Sequence, residues 1–113
     1  MHISRFHSVY DLGSCNSNIG NREKLKELIR GIVEAIRMNI IAGPFVAEGN
    51  PAEPGVTAVA IIDFSHVSIH TFTKSREAFV DVFSIKEFDC DAVGKLVKTA
   101  FGTSTTSVRH RRV

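Results

Sequence analysis

A serine and a histidine stand side by side, as Ser65-His66, between two apolar stretches, and a second histidine, His70, follows four residues later. A hydroxyl next to an imidazole is a pair that nucleophilic catalysis uses. The surrounding run, TAVAIIDFSHVSIHTF at 57–72, predicts a strand, a break at 63–65 and a second strand. The two side chains would therefore lie at the tip of a β-hairpin.

The residues alone allow three interpretations of this hairpin tip. In the simplest, Ser65 is a turn residue and the histidines are half-buried polar side chains of a strand. A metal site built from His66 and His70 would have to find further ligands in Asp63 and Asp81. A serine protease is disfavoured, because the chain has no G-x-S-x-G elbow and is too short for the usual hydrolase folds.

Hydrophobic periodicity and turn signals divide the chain into strands and two helices. Asn21 is a good N-cap for a long amphipathic helix at about 22–41, which is the strongest periodic pattern in the sequence. A second helix would begin after Asp89 and end at Gly102. Extended segments are expected at 2–12, 44–47, 56–63, 66–72, 77–84 and 103–113, of which 44–47 is short.

Without the short segment, this order is β-α-β-β-β-α-β, which predicts an α+β fold. We expect a two-layer α/β sandwich in which a mostly antiparallel sheet carries both helices on one face. The chain has 113 residues, no internal repeat and no low-complexity linker, and these features predict a single domain over 1–113.

Composition and charge limit the partners and the compartment. A hydrophobic fraction of 43% and a charged fraction of 23% are typical of a soluble globular protein. The net charge of +2 is too small to indicate nucleic-acid binding, and we expect the basic run at 109–112 to be a solvated tail or edge strand. No stretch has the length of a membrane span, and the N-terminus lacks a signal peptide's apolar core. The distant Cys15 and Cys90 form no zinc or disulfide pattern, so a reduced, cytoplasmic protein is expected.

Four short motifs follow one another within 55–84: Gly55-Val56-Thr57, Ser65-His66, Ile69-His70-Thr71-Phe72 and Asp81-Val82-Phe83-Ser84. In this order and spacing they resemble the core of the bacterial and archaeal S-adenosylmethionine decarboxylase proenzymes. That family has a GVSG-like strand, a glutamate-serine-histidine step, an I-H-T-W strand and a D-[VIL]-F-[TS]-C strand. The early strand and the two helices also correspond, so the resemblance covers nearly the whole chain.

The resemblance implies a chain that makes its own cofactor. In the family, the serine attacks the carbonyl of the residue before it, and the chain then splits to leave a pyruvoyl group on the new N-terminus. Carried over, this implies cleavage between Phe64 and Ser65, with Ser65 as the pyruvoyl precursor. It also implies that His70 acts as acid/base in processing and that the Thr57 hydroxyl assists. The pyruvoyl carbonyl would form a Schiff base with the substrate amine and act as electron sink for loss of carbon dioxide.

Two residues at the implied processing site depart from the family. Phe64 stands where the family has a glutamate, which removes a charge but leaves the carbonyl that the serine attacks. Ile85 stands where the family has the cysteine that protonates the decarboxylated carbon, and isoleucine has no proton to donate. Cys90 lies five residues further on, and nothing in the sequence brings it to the same place.

Two more departures concern the substrate. Lys74 replaces a glutamate that holds ribose hydroxyls in the family, and a loop containing Glu48 and Glu53 replaces the phenylalanine-rich segment that stacks on adenine. Phe72 remains as a stacking ring. The substrate-binding residues predicted from these positions are Phe72, Lys74 and Glu53. The substrate would be S-adenosylmethionine or, because the loop adds negative charge, the small cations arginine or ornithine, which relatives decarboxylate.

The sequence favours two functions. The first is a self-processing, pyruvoyl-dependent α-decarboxylase that feeds polyamine synthesis. The second is a catalytically silent paralogue that pairs with and regulates an active decarboxylase, as the isoleucine at Ile85 favours. A small-molecule or metal-binding module on the same scaffold is a third.

The resemblance also implies a homodimer of cleaved chains, or a heteromer with a paralogue, since family members pair their sheets and build the site from both protomers. The apolar run at 56–62, with Phe79 and Phe83, offers surface for such pairing.

Overall fold

Six strands and two α-helices form the described part of this computed structural model, residues 3–103 and 106–112. The strands are β1 (Phe6–Leu12), β2 (Ile40–Glu48), β3 (Val56–Ile62), β4 (Ser65–Phe72), β5 (Glu77–Ser84) and β6 (Thr106–Arg112). The helices are α1 (Arg22–Ala35) and α2 (Cys90–Phe101), and a short 3-10 helix, Ser17–Gly20, precedes α1.

The strands form one sheet in the order β2-β3-β4-β5-β1-β6, and each neighbouring pair is antiparallel. Both helices pack on the same face, where α1 contacts β2, β3 and β4 and α2 contacts β1 and β6. The two helices also contact each other. The expected α+β two-layer sandwich is therefore confirmed.

Alternating side chains give the sheet a buried inner face and an open outer face. In β4, Val67, Ile69 and Thr71 point towards the helices and are buried, while His66 and His70 point the other way and are exposed. We use the term outer face for the side of the sheet opposite the helices. In β1, β3, β4 and β5 its side chains are His7, Val9, Asp11, Thr57, Val59, Ile61, His66, Ser68, His70, Phe72, Glu77, Phe79, Asp81 and Phe83.

Short polar side chains begin both helices. The Asn21 side chain accepts a hydrogen bond from the Lys24 backbone N–H at 3.1 Å, and Asp89 accepts from two N–H groups of the first turn of α2 at 3.0 and 3.1 Å. These bonds satisfy donors that the first turn of a helix leaves unpaired. Gly102 ends α2 with a left-handed φ of 62°, which glycine adopts without strain. All three of these predicted helix boundaries are confirmed.

The prediction that the first helix extends to residue 41 is wrong. α1 ends at Ala35, and the chain turns at Arg37, whose φ is 59°. The apolar spacing is misleading because Ile36 and Met38 stay buried after the helix has ended. Ile40, which continues the helical pattern in the sequence, instead begins β2.

The edges of the sheet also differ from the prediction. β2 is longer than the expected segment at 44–47 and brings the sheet to six strands. β1 begins at Phe6 and β6 begins at Thr106, whereas strands over 2–12 and 103–113 were expected. Of those two predictions, positions 2, 104–105 and 113 lie outside the described residues. Within the described part of the chain, neither helix is long and apolar enough to cross a membrane.

Candidate active site

The hairpin between β3 and β4 turns through two residues, Asp63 and Phe64, so that Ile62 pairs with Ser65. Asn39 fixes this turn from the side. Its backbone N–H donates to Asp63 Oδ2 at 2.7 Å, its side-chain amide donates to the same oxygen at 3.1 Å, and its carbonyl accepts from the Asp63 N–H at 3.0 Å. The Phe64 side chain remains 45% exposed. The peptide bond between Phe64 and Ser65 therefore lies at an exposed, well-anchored turn.

Ser65 lies beside an imidazole. Its Oγ is 3.3 Å from Nδ1 of His66, the next residue in the chain. Across the neighbouring strand, Ser65 pairs with Ser84, the last residue of β5. Ile85 follows Ser84 directly and is 40% exposed, so the residue that stands in for the family's cysteine adjoins the hairpin tip.

His66 belongs to a chain of polar contacts that crosses three strands of the outer face. Its ring stacks on Phe83 with centroids 5.6 Å apart, and its Nε2 lies 3.7 Å from Asp81 Oδ1. The other oxygen, Asp81 Oδ2, is 2.9 Å from Nε2 of His7 in β1. Asp81 Oδ1 is buried and has no hydrogen-bond partner among the described residues. Ser65, His66, Asp81 and His7 thus follow one another in contact.

His70 and Thr57 form a second polar pair on the same face. They lie directly opposite each other in β4 and β3, and Thr57 Oγ1 is 3.0 Å from His70 Nδ1. His70 in turn lies opposite Phe79 of β5. The structure therefore brings together two of the three residues to which the resemblance assigns catalytic roles.

The third of these residues, Ser65, is distant from His70. Five positions separate them along β4, which corresponds to about 17 Å of extended chain. A histidine side chain cannot cover this separation within one strand. A single chain therefore divides the predicted set into a Ser65 end and a His70 end.

The predicted substrate-binding residues lie at or beyond the His70 end of β4. Phe72 contacts Phe79 edge to face, with ring centroids 5.5 Å apart, which adds a ring that the sequence had indicated only for the pairing of two chains. Lys74 is exposed in the β4–β5 turn, and Glu53 is exposed in the β2–β3 loop. The Thr73 N–H donates to Pro54 O at 3.0 Å and joins the two loops. The roles of Phe72, Lys74 and Glu53 stay predictions.

Gly55 allows the β2–β3 loop to approach β4. A Cβ atom at this position would lie 1.7 Å from the Thr71 carbonyl oxygen, so only glycine fits. The next residue, Val56, donates its N–H to Thr71 Oγ1 at 2.9 Å, and that hydroxyl donates to Ile19 O at 2.7 Å. This packing sets the start of β3 and with it the position of Thr57 beside His70.

Neither a metal cluster nor a cysteine is found at the hairpin tip. In residues 3–103 and 106–112, no group of three or more histidine, cysteine or acidic side chains could hold a metal ion. Cys90 begins α2 on the inner side of the sheet, where its carbonyl accepts from Tyr10 OH at 2.9 Å. Burial, aided by the nearby Asp91 and Asp89, raises the pKa of the Cys90 thiol. Cys15 is buried in the core.

The cluster around Asp81 is not evident from the sequence. The sequence indicates Asp81 as a possible further metal ligand and as the first residue of one motif, and it indicates no role for His7. Alternation places His66 and Asp81 on the same face of neighbouring strands, but the contact with His7 depends on the pairing of β1 with β5. That pairing joins residues more than seventy positions apart, since His7 and Asp81 are separated by 74.

Comparisons with known proteins point to one family. The family model described as S-adenosylmethionine decarboxylase matches residues 6–112. The S-adenosylmethionine decarboxylase proenzyme of Clostridium botulinum (strain Loch Maree / Type A3) is 33% identical over 85 residues, which cover 74% of this chain and 71% of that protein. The proenzyme of Hydrogenobaculum sp. (strain Y04AAS1) is 34% identical over 79 residues, covering 69% of this chain and 57% of its own length.

A solved structure has the same fold. The crystal structure of the adenosylmethionine decarboxylase from Aquifex aeolicus matches with a TM-score of 0.81 and 22% sequence identity. The match covers 98% of this chain and 91% of the Aquifex chain, so the similarity extends over both helices and the whole sheet.

Proposed function

Because this chain belongs to the S-adenosylmethionine decarboxylase family, we propose that it is a self-processing, pyruvoyl-dependent α-decarboxylase of polyamine synthesis. One observation carries the proposal. Ser65 opens β4 directly after an exposed turn, with its hydroxyl 3.3 Å from an imidazole nitrogen, at the position where the family's motif has the pyruvoyl precursor. Cleavage would occur between Phe64 and Ser65.

The residues at the hairpin tip fit a pyruvoyl group made from Ser65. The conversion requires a serine hydroxyl next to the carbonyl of the preceding residue, and Ser65, directly after an exposed two-residue turn, provides the hydroxyl beside the Phe64 carbonyl. Once present, the group supplies a carbonyl that acts as an electron sink for loss of carbon dioxide. His70, held by Thr57 at 3.0 Å, supplies an acid/base group, and Phe72 with Phe79 supplies an aromatic surface for the substrate.

We propose S-adenosylmethionine as the substrate, with arginine and ornithine as the alternatives. The names of the curated relatives and the paired rings Phe72 and Phe79 support S-adenosylmethionine. Lys74, where the family has a glutamate, and the exposed carboxylates Glu48 and Glu53 support a smaller cationic substrate instead.

The test is release of labelled carbon dioxide from each of the three carboxyl-labelled amino acids by the purified protein. We expect release from one of them, abolished by borohydride treatment and absent in the Ser65→Ala variant. Ser68→Ala is the matched control, because it removes a hydroxyl from the same strand without touching the turn. Release that survives borohydride, or that survives in Ser65→Ala, would contradict the proposal.

We also propose that the chain acts as a homodimer in which the outer faces of two sheets meet. Support comes from the apolar side chains on that face, since Phe45 is 56% and Ile61 is 49% exposed. The separation of Ser65 from His70 within one chain adds to it, because a second copy facing the first could place its His70 near the first copy's Ser65.

Light scattering measures the oligomeric state directly. We expect a mass of about twice the 12.4 kDa of the chain, and a single-chain mass for Ile61→Asp, which adds a charge to the outer face. Val108→Asp is the control, because Val108 of β6 is also exposed, at 42%, but pairs with the inward-pointing Tyr10. A wild-type mass of one chain would overturn the dimer.

A second candidate function rests on Ile85. Its position beside Ser84 at the hairpin tip, with no proton to donate, supports a silent paralogue that pairs with an active decarboxylase. Ile85→Cys separates the two functions. In a slow decarboxylase the thiol should increase carbon dioxide release by about tenfold or more without changing chain cleavage. In a silent paralogue, neither protein would release carbon dioxide, and adding the wild-type chain would change the activity of its partner enzyme.

A further inference from the structure

We infer that His66 is the base that activates Ser65 for chain cleavage, and that Asp81 and His7 position its ring. This inference rests on the proposed function, because it concerns the first step of the proposed self-processing. It assigns a role to the histidine that directly follows the serine, which neither the resemblance nor the comparisons assign.

The geometry favours His66 over His70 for this step. Nδ1 of His66 is the imidazole nitrogen beside the Ser65 hydroxyl, at 3.3 Å, whereas Nδ1 of His70 is engaged by Thr57. A base must lie within hydrogen-bond reach of the proton that it removes, although this contact often lengthens before the reaction. Within one chain, His66 meets this condition and His70 does not.

Asp81 keeps the required nitrogen of His66 free. To accept the serine proton at Nδ1, the neutral ring must carry its own proton on Nε2, the nitrogen that faces Asp81 Oδ1 at 3.7 Å. A carboxylate near Nε2 favours that tautomer and stabilises the charged ring that forms during the transfer. Asp81 Oδ1 has no hydrogen-bond partner among the described residues and is therefore available for this contact.

His7 positions the Asp81 carboxylate, and Phe83 positions the His66 ring. His7 Nε2 contacts Asp81 Oδ2 at 2.9 Å and so holds the carboxylate with its other oxygen towards His66. Phe83 lies between the two histidines, stacked on His66 at 5.6 Å and edge to face with His7 at 5.9 Å. The stacking of Phe83 on His66 restricts rotation of the His66 ring about its side-chain bonds.

The step is an acyl shift from nitrogen to oxygen. Ser65 Oγ forms a bond to the carbonyl carbon of Phe64 while its proton moves to His66 Nδ1. The bond between that carbon and Ser65 N then breaks, and His66 returns the proton to the departing amine. The product is an ester with the same atoms as the peptide. Elimination of the ester, and release of ammonia with uptake of one water, follow as later steps that this inference does not assign to His66.

Hydroxylamine distinguishes the acyl shift from the later steps, because it cleaves an ester and leaves a free Ser65 amine. The full chain is synthesised in a cell-free system and followed by intact mass, with and without hydroxylamine. We expect His66→Asn, which keeps a polar atom near Ser65, to slow formation of both the spontaneous and the hydroxylamine-released fragments by about 100-fold or more. In His70→Gln the hydroxylamine-released fragments should still form.

Added imidazole and a double variant test the individual roles. Imidazole should restore fragment formation to His66→Gly, whereas a structural role for His66 would not be rescued. Asp81→Asn should slow the shift by about tenfold in the wild-type background and have no further effect in His66→Asn, because Asp81 acts through His66. Ser68→Ala, on the same strand face, is the control that should cleave as the wild type does, and circular dichroism checks that each variant is folded.

Two outcomes distinguish failure of the inference about His66 from failure of the proposed function. If the wild type cleaves and His66→Asn forms the ester at the wild-type rate, the inference is wrong while the proposed function stands. If the wild type neither cleaves nor yields hydroxylamine-released fragments, both fail, and Ser65 is a turn residue.

Discussion

The two ends of β4 differ in how much of the family's motif they keep. At the His70 end, both residues to which the resemblance assigns a role in processing are present, and Thr57 Oγ1 lies 3.0 Å from His70 Nδ1. At the Ser65 end, both residues that flank the reaction are changed: Phe64 is 45% exposed where the family has a glutamate, and Ile85 is 40% exposed where it has a cysteine. The Ser65 end instead has the contacts of His66 with Asp81, and of Asp81 with His7.

From this difference we expect the proposed chain cleavage and the proposed decarboxylation to depend on different residues. The acyl shift that begins cleavage requires a nucleophile, a carbonyl and a nearby base, and these are present at the Ser65 end without the missing glutamate and cysteine. Decarboxylation requires in addition a proton donor, and Ile85 does not provide one. We therefore expect cleavage to be the more robust of the two activities in this chain.

The largest expected effect tests whether Ser65 of one chain acts together with His70 of the second chain in a dimer. Ser65→Ala alone cannot cleave, and His70→Gln alone should stop at the ester. When both variants are produced together with different tags, a mixed dimer has one Ser65 facing one intact His70. Cleavage should then appear in about half of the His70→Gln chains, since random pairing places half of them in mixed dimers.

Mass spectrometry of the two tagged chains measures this complementation. Fragments of the tagged His70→Gln chain in the mixture, and their absence when that chain is made alone, are the expected result. If His70→Gln cleaves equally well with and without its partner, the two ends do not cooperate between chains.

The next effect concerns the packing that sets the His70 end. Gly55→Ala should lower the free energy of unfolding by about 3 kcal/mol or more, because its Cβ would lie 1.7 Å from the Thr71 carbonyl oxygen. Gly31→Ala in α1 is the matched control, since nothing lies within 4 Å of a Cβ there. It should raise the free energy of unfolding by up to about 1 kcal/mol. Urea unfolding measures both, and equal effects of the two substitutions would refute the close approach at Gly55.

A smaller effect is expected from the hydroxyl of Thr57. Thr57→Val removes the contact with His70 Nδ1, whereas Thr57→Ser keeps it. Because His70 is exposed, stability should change by less than about 1 kcal/mol in either variant. Cleavage should slow in Thr57→Val, with accumulation of the ester that hydroxylamine releases, and should be near normal in Thr57→Ser. Equal cleavage in both would remove Thr57 from the site.

The smallest expected effect is a change of stability with pH, and it comes from buried residues of the core rather than from the outer face. Burial raises the pKa of Tyr10 above its ordinary 10.0 and that of Cys15 above 9.0. The unfolded chain therefore loses these protons before the folded chain does. The contribution of these two protonated groups to the free energy of unfolding is therefore fully present below pH about 9 and decreases as the pH rises further. Urea midpoints at neutral and alkaline pH should show this decrease, with a shallower slope in Tyr10→Phe. An identical slope in Tyr10→Phe would show that Tyr10 does not contribute.

Local patterns in the sequence were sufficient for most of the fold. Alternation in β4 and β5 predicts which side chains face the helices, and the polar caps at Asn21 and Asp89 predict where the helices begin. The end of α1 was not predictable in the same way. The apolar spacing continues through Ile36 and Met38, and only the left-handed conformation of Arg37 shows that the chain has turned.

The individual residues of the candidate site, whose roles stay predictions, could be named from the sequence, whereas most of their contacts could not. The resemblance assigns roles to Ser65, His70 and Thr57, and the cross-strand pairing of Thr57 with His70 follows from a two-residue hairpin. The contact of His7 with Asp81 depends on which strand lies next to β5, which no local pattern specifies. The distance from Ser65 to His70 could have been inferred from the strand itself, since five positions of extended chain exceed the reach of a side chain.

The most direct test of self-processing is the intact mass of the purified chain, recorded before and after reduction with borohydride. We expect two fragments, corresponding to residues 1–64 and 65–113, with the second carrying a carbonyl at its N-terminus that borohydride reduces. A single mass equal to that of the full chain, unchanged by borohydride and by hydroxylamine, would contradict it.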